Sequence, residues 1–145
     1  MKIRRIIGAT MAFSVASLGV AVAAPPANAI VDTNIGRSYG NVQRASMWQH
    51  ADRGGAVLTT YGSGACSGTT GDRDITQNSL NYGLFNNWND VISSAADFSQ
   101  CDTFLFWDEN LGGASKSGNW DGTYGGYVNL PDIGFNDVAS SYYLS

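Results

Sequence analysis

Two short segments concentrate side-chain oxygens. Asn89-Asp90-Val91-Ile92-Ser93-Ser94 follows Trp88, and Asn136-Asp137-Val138-Ala139-Ser140-Ser141 follows Phe135. Each reads aromatic, Asn-Asp-Val, one free position, Ser-Ser. Carboxylate, amide and hydroxyl oxygens this close together have two uses. They satisfy the backbone of a turn through local hydrogen bonds, or they gather round a hard cation that takes six to eight oxygen ligands. The repetition carries more weight than either copy. Matching segments in two halves of a chain indicate two copies of one structural unit, each with the same polar site.

No other group of residues competes for chemistry. His50 is the only histidine, and no nucleophile stands near it in the sequence. It reads as a solvated turn residue. Asp72-Arg73-Asp74 reads as a charged loop tip. Asp108-Glu109 has the composition of a general acid–base pair but the setting of solvated acids in a hairpin turn. Trp48, Trp88, Trp107 and Trp120 have faces suited to sugars, yet two or three of them fit a core or sheet face better. The expectation is therefore a protein that is not an enzyme.

The elements that must position the two segments follow from the rest of the chain. Residues 1–29 read as a signal peptide. Lys2, Arg4 and Arg5 precede an apolar run from Ile6 to Ala24, and Ala27-Asn28-Ala29 offers the small-x-small cleavage pattern. Cleavage after Ala29 predicts a secreted chain of 116 residues with five Lys+Arg against twelve Asp+Glu, a net charge of −7. That balance argues against nucleic acid or an anionic membrane as partner and is compatible with a cation. A chain of this length supports one domain, read here as a monomer. Gly, Ser, Asn and aromatics dominate while Leu, Lys and Glu are scarce, which suits short strands and tight turns. Cys66 and Cys101 read as a disulfide in an exported protein, worth about 3–4 kcal/mol on the chain-entropy model.

Residues 30–44 read as a flexible arm or an irregular lead-in. Strands are predicted at 45–50 and 56–61, joined by the turn Asp52-Arg53-Gly54-Gly55. Residues 62–77 read as a long surface loop. Leu80, Leu84, Phe85 and Trp88 supply apolar anchors ahead of the first oxygen-rich segment, and 95–99 closes the unit as a strand. The pattern then restarts. Strands are predicted at 103–107 and 114–120 around Asp108-Glu109-Asn110-Leu111-Gly112-Gly113, with a Gly-rich loop at 121–126. Tyr127, Leu130, Ile133 and Phe135 are anchors, and 142–144 is the last strand. Four strands in each half predict an all-β sandwich in a single domain.

On these residues the chain resembles the βγ-crystallin superfamily, in particular its microbial calcium-binding members. The family motif opens with an aromatic, then an aromatic or apolar residue, then a glycine that needs positive φ. Phe106, Leu111 and Gly113 match it; Trp48, Arg53 and Gly55 match it except at Arg53, where an aromatic is usual. The microbial calcium signature, Asn/Asp-Asn/Asp-x-x-Ser/Thr-Ser once per motif, fits both segments. The resemblance spans residues 45–145 and implies two Greek-key motifs, at about 45–99 and 101–145. It implies two calcium sites. Asp90 and Ser93 would be ligands in one half, with the Val91 carbonyl; Asp137 and Ser140 would be ligands in the other, with the Val138 carbonyl. The carbonyls of Ala51 and Glu109, in the opening hairpins, would complete sites of the opposite halves. Asn89, Ser94, Asn136 and Ser141 would brace the turns.

Two other functions are compatible with this scaffold. Bacterial metalloproteinase inhibitors of the same superfamily are exported single domains, and the segment Ser63, Gly64, Ala65, Ser67, Gly68, Thr69 and Thr70, tethered by Cys66, is the candidate inhibitory loop against a secreted metalloprotease. A killer-toxin-like antimicrobial protein is the third reading, against which the acidic charge argues.

Overall fold

The computed structural model describes residues 30–69, 71–83, 86–118 and 126–145. The signal-peptide reading, Thr70, Leu84, Phe85, Trp120 and most of the Gly-rich loop at 121–126 lie outside them. In chain order the strands are β1 (Thr33–Ile35), β2 (Val42–His50), β3 (Gly54–Gly62), β4 (Ile75–Gln77), β5 (Ser94–Asp97), β6 (Thr103–Asp108), β7 (Gly112–Gly118), β8 (Tyr127–Asn129) and β9 (Ser141–Leu144). They form two sheets, ordered β1-β3-β2-β5-β8 and β4-β9-β6-β7. No described helix is long and apolar enough to cross a membrane.

Apart from β1, each half contributes four strands, and each lends one to the other. The first half builds β2, β3 and β5 into one sheet but sends β4 into the second, where Ile75 pairs with Leu144. The second half builds β6, β7 and β9 together and sends β8 into the first sheet, where Val128 pairs with Ala95. This exchange makes a Greek key of each half and ties the halves into one domain. The core lies between the sheets. Met47, Leu58, Leu80, Trp88, Ile92, Leu105, Leu130, Phe135, Tyr142 and Leu144 are fully buried there. Period-two alternation explains which side chains reach it. Met47 faces in, whereas Trp48 is half-buried and meets Tyr127 edge-on. Leu105 faces in, whereas Phe104 lies outside and stacks on Tyr143 at 4.4 Å.

The structure corrects three sequence readings. The segment 30–44 is not an arm apart from the domain. Within it β1 runs parallel to β3, Ile30 and Ile35 pack on the core, and the Thr33 hydroxyl accepts the indole N–H of buried Trp88 at 3.0 Å. The stretch 62–77 is not all loop, because its last three residues are β4. Tyr127 is more than an anchor, since it opens β8. The short strands were obscure because three residues carry too little pattern, and the partners of β4 and β8 lie in the opposite half of the chain.

The disulfide forms between Cys66 and Cys101, with Cα atoms 5.0 Å apart and both residues buried. Beside it, the Cys66 N–H donates to the Ser99 carbonyl at 2.9 Å. The tether therefore fixes the loop after β3 to the turn before β6.

Candidate metal centre

The two hairpin turns set the frame for the site. In each, a 3-10 turn joins two strands: Ala51–Arg53 between β2 and β3, and Glu109–Leu111 between β6 and β7. Asp52 and Arg53 adopt left-handed backbone at φ 55° and 60°, and Asn110 and Leu111 do so at 56° and 61°. Gly55 and Gly113 follow at φ 74° and 71°, as the motif requires. Consecutive left-handed non-glycine residues are costly, so something must hold them. The second serine of each signature does so. The Ser94 hydroxyl donates to the His50 carbonyl at 2.8 Å and accepts from the Arg53 N–H at 3.3 Å. Ser141 donates to the Asp108 carbonyl at 2.5 Å and accepts from the Leu111 N–H at 3.0 Å.

The first serine of each signature is held beside the same hairpin. The N–H of Ser93 donates to the Trp48 carbonyl, and that of Ser140 to the Phe106 carbonyl. Meanwhile the two signature turns bond to each other. The Asp90 N–H donates to the Ala139 carbonyl at 2.9 Å and the Asp137 N–H to the Ile92 carbonyl at 3.0 Å. Asp90 and Asp137 are themselves left-handed, at φ 57° and 52°, a conformation Asp tolerates better than most residues.

This mutual bonding carries each aspartate across to the other half's serine. The Ser93 hydroxyl lies 2.8 Å from Asp137 Oδ1 and 2.8 Å from the Gln49 carbonyl oxygen. The Ser140 hydroxyl lies 3.3 Å from Asp90 Oδ1. One cleft is lined by Gln49, His50, Asp90, Val91, Ser93 and Asp137, and its counterpart by Asp90, Trp107, Asp108, Asp137 and Val138. Each carboxylate's other oxygen is oriented by its neighbour: Asn89 Nδ2 donates to Asp90 Oδ2 at 2.7 Å and Asn136 Nδ2 to Asp137 Oδ2 at 2.6 Å.

The grouping differs from the one drawn from the sequence. Ser93 meets the aspartate of the other signature, not Asp90, and Ser140 likewise meets Asp90, not Asp137. The hairpin carbonyl against Ser93 belongs to Gln49 rather than Ala51. The Ala51 carbonyl turns inside its 3-10 turn to accept the Gly54 N–H, and the Glu109 carbonyl accepts the Gly112 N–H. The Glu109 carboxylate is bonded by the Ser79 hydroxyl at 2.7 Å. Sequence reasoning missed Gln49, because a backbone donor leaves no mark in residue type, and Trp107 and Asp108, which border the second cleft.

The donor chemistry fits a hard cation. The Ser93 hydroxyl has one proton and two acceptors at hydrogen-bond distance, so one pair of oxygens approaches without a proton between them. A cation among the three relieves that repulsion. A spacing of about 2.8 Å is also that of neighbouring equatorial oxygens round calcium in a pentagonal bipyramid with bonds of about 2.4 Å. Among the described residues no group of three or more His, Cys, Asp or Glu assembles. The oxygens come instead from one carboxylate, a hydroxyl and a carbonyl, a set suited to calcium rather than to zinc.

No protein-family model matches the sequence, and no curated protein matches it. Solved structures do. A structure described under the evolution of the eye lens βγ-crystallin domain fold is 18% identical, with 74% of this chain and 89% of that chain covered at a TM-score of 0.53. A βγ-crystallin from an archaeon is 18% identical over 72% of this chain and all of its own, at 0.49. A βγ-crystallin domain from Flavobacterium johnsoniae is 21% identical over 70% and 92%, at 0.45. The chain has the βγ-crystallin fold.

Proposed function

We propose that this is a calcium-binding βγ-crystallin-type domain of an exported protein, with two sites, each shared between its halves. Asp137, Ser93 and the Gln49 carbonyl would hold one ion. Asp90 and Ser140 would hold the other, beside Trp107 and Asp108. The single Ser93 proton facing two acceptors carries this reading. When bound, calcium would supply the positive charge that the clustered oxygens lack. The protein's part is to orient those oxygens through Asn89, Asn136, Ser94 and Ser141.

Ligands drawn from both halves make binding a clamp on the sandwich. At a Kd of about 10⁻⁴–10⁻³ M, usual for extracellular sites, about 1 mM calcium adds roughly 0.4–1.4 kcal/mol per filled site. For a domain of this size the two together raise the melting temperature by about 3–15 °C. Metal-stripped protein melted with and without millimolar calcium tests this, and identical curves would refute it.

One observation favours a second reading, inhibition of a secreted metalloprotease. The loop from Ser63 to Thr69 is largely exposed yet restrained: Cys66 is disulfide-bonded, and Arg44 donates to the Gly64 and Ala65 carbonyls at 2.8 and 3.4 Å. Replacing Ser63–Thr70 by a Gly-Ser linker should abolish inhibition of a thermolysin-like protease. A lack of inhibition by the unaltered protein would end this reading.

A further inference from the structure

Far from the aspartates, at the opposite end of β2, lies a cleft that calcium does not explain. Gln49 and Arg44 are five residues apart on that strand, about 17 Å at an ordinary strand rise. The cleft has a volume of about 320 Å³, the lower end of the range for small-molecule sites. Ile35, Tyr39, Tyr61 and Ile75 give it apolar and aromatic walls, and Arg44, Asp74 and Gln77 give it polar groups.

Arg44 is the unusual member. Only 8% of it is exposed, yet it makes no ion pair with a described residue. Buried arginines are seldom left without a carboxylate. Its Nε and one Nη2 hydrogen bond to the Gly64 and Ala65 carbonyls. Of five donors, three have no acceptor among the described residues, and the side chain borders the cleft. Its position is built in. The guanidinium lies against the α-carbon of Gly62, where a methyl group would come within 2.3 Å of Nε and 2.5 Å of Cζ. Arg37 covers the Tyr61 ring at 4.4 Å and stiffens that wall. In the same lining, Asp74 Oδ2 accepts the Ser67 N–H at 3.0 Å, while Oδ1 takes no donor from the described residues.

A fixed, charged fork and a carboxylate with a free oxygen, lining one cleft, define a ligand with two different ends. A guanidinium edge matches a carboxylate. Asp74 would repel a second negative charge, which disfavours phosphate and sulfate, and it demands a donor. We propose that this cleft binds a small organic acid, its carboxylate on Arg44 and a hydroxyl or ammonium group on Asp74, its body against Tyr39 and Tyr61. A sugar acid and an amino acid both carry that chemistry.

The test is amide and arginine Nε–H NMR of the folded chain, titrated separately with glucuronate, L-phenylalanine, glucose and acetate. The expected result is saturable shifts at Arg44 Nε, Gly62 and Gly64, half-complete by about 10 mM, with glucuronate or phenylalanine. Whichever acid saturates identifies the donor as hydroxyl or ammonium. Glucose should leave these signals unmoved, and acetate should bind at least about tenfold more weakly. Tyr39→Ala, at a residue 80% exposed and so harmless to folding, should weaken binding about threefold or more. Asp74→Asn should weaken it further. The shifts should be the same in calcium and in chelator. No saturation by either acid, equal response to glucose or acetate, indifference to Tyr39→Ala, or a need for calcium would each overturn the assignment.

Discussion

The crossing of serines and aspartates predicts which pairs of substitutions are coupled. Ser93→Ala removes a hydroxyl that sits 2.8 Å from Asp137 Oδ1. In metal-free protein this loses one charge-assisted hydrogen bond, worth about 1.5–3 kcal/mol when buried. Asp137 is exposed, and solvent screening reduces the loss to about 0.5–1 kcal/mol. With calcium the same change would also remove one oxygen ligand of the proposed site, and we expect about tenfold weaker binding there, or 1.4 kcal/mol. The informative quantity is the double-mutant cycle by calorimetric titration. In the proposed arrangement Ser93→Ala and Asp137→Asn would act on one ion, so their effects on affinity should depart from additivity by about 1 kcal/mol. Ser93→Ala and Asp90→Asn would act on different ions and should add to within about 0.5 kcal/mol. Coupling confined to Ser93 and Asp90 would refute the crossed arrangement, because it would mean that each signature binds its own ion.

Other consequences follow from single features. Terbium, a hard oxygen-seeking ion, should luminesce on excitation of tryptophan, and Trp107→Leu should remove most of the signal, since Trp107 borders the second cleft; unchanged emission would place the ion elsewhere. Replacing Cys66 and Cys101 by alanine should lower stability in urea by about 3–4 kcal/mol, and an unchanged midpoint would contradict the tether's role. Gly113→Ala places a methyl group 2.8 Å from Asp108 Oδ2 at a φ of 71°, so it should cost at least about 1 kcal/mol and weaken the adjacent second site. Burial raises the hydroxyl pKa of Tyr82 and Tyr142 well above the ordinary value. Stability from keeping them neutral is full below about pH 10 and is lost as pH rises beyond it. Alkaline titration should therefore show two tyrosines ionising only with unfolding, and ionisation of all described tyrosines in the folded state would contradict this.

What could be read from the sequence, and what could not, divides along physical lines. The hairpins were legible because positive φ is written into Gly55 and Gly113. The signatures were legible because Asp90, Ser93, Asp137 and Ser140 advertise their oxygens by type. The sandwich followed from strands bounded by turn residues. The three-residue strands β1, β4 and β8 were not legible, because three residues carry too little pattern and the partners of β4 and β8 come from the other half. Nor was the crossing. Two copies of one pattern contain the same residues, so nothing in either copy says whose aspartate meets whose serine. That is decided by backbone bonds from Asp90 to Ala139 and from Asp137 to Ile92. The Gln49 carbonyl was hidden for a related reason, since every residue has one and only the fold selects it. Arg44 is one of few cations in an acidic chain, and only its burial over Gly62 sets it apart.

Two calcium sites that join the halves of this domain would be counted most simply by binding stoichiometry. The decisive measurement is calorimetric titration of metal-stripped protein with calcium. About two ions per chain are expected, with Asp90→Ala and Asp137→Ala each removing one. No binding heat at millimolar calcium, or full binding in the double variant, would contradict that expectation.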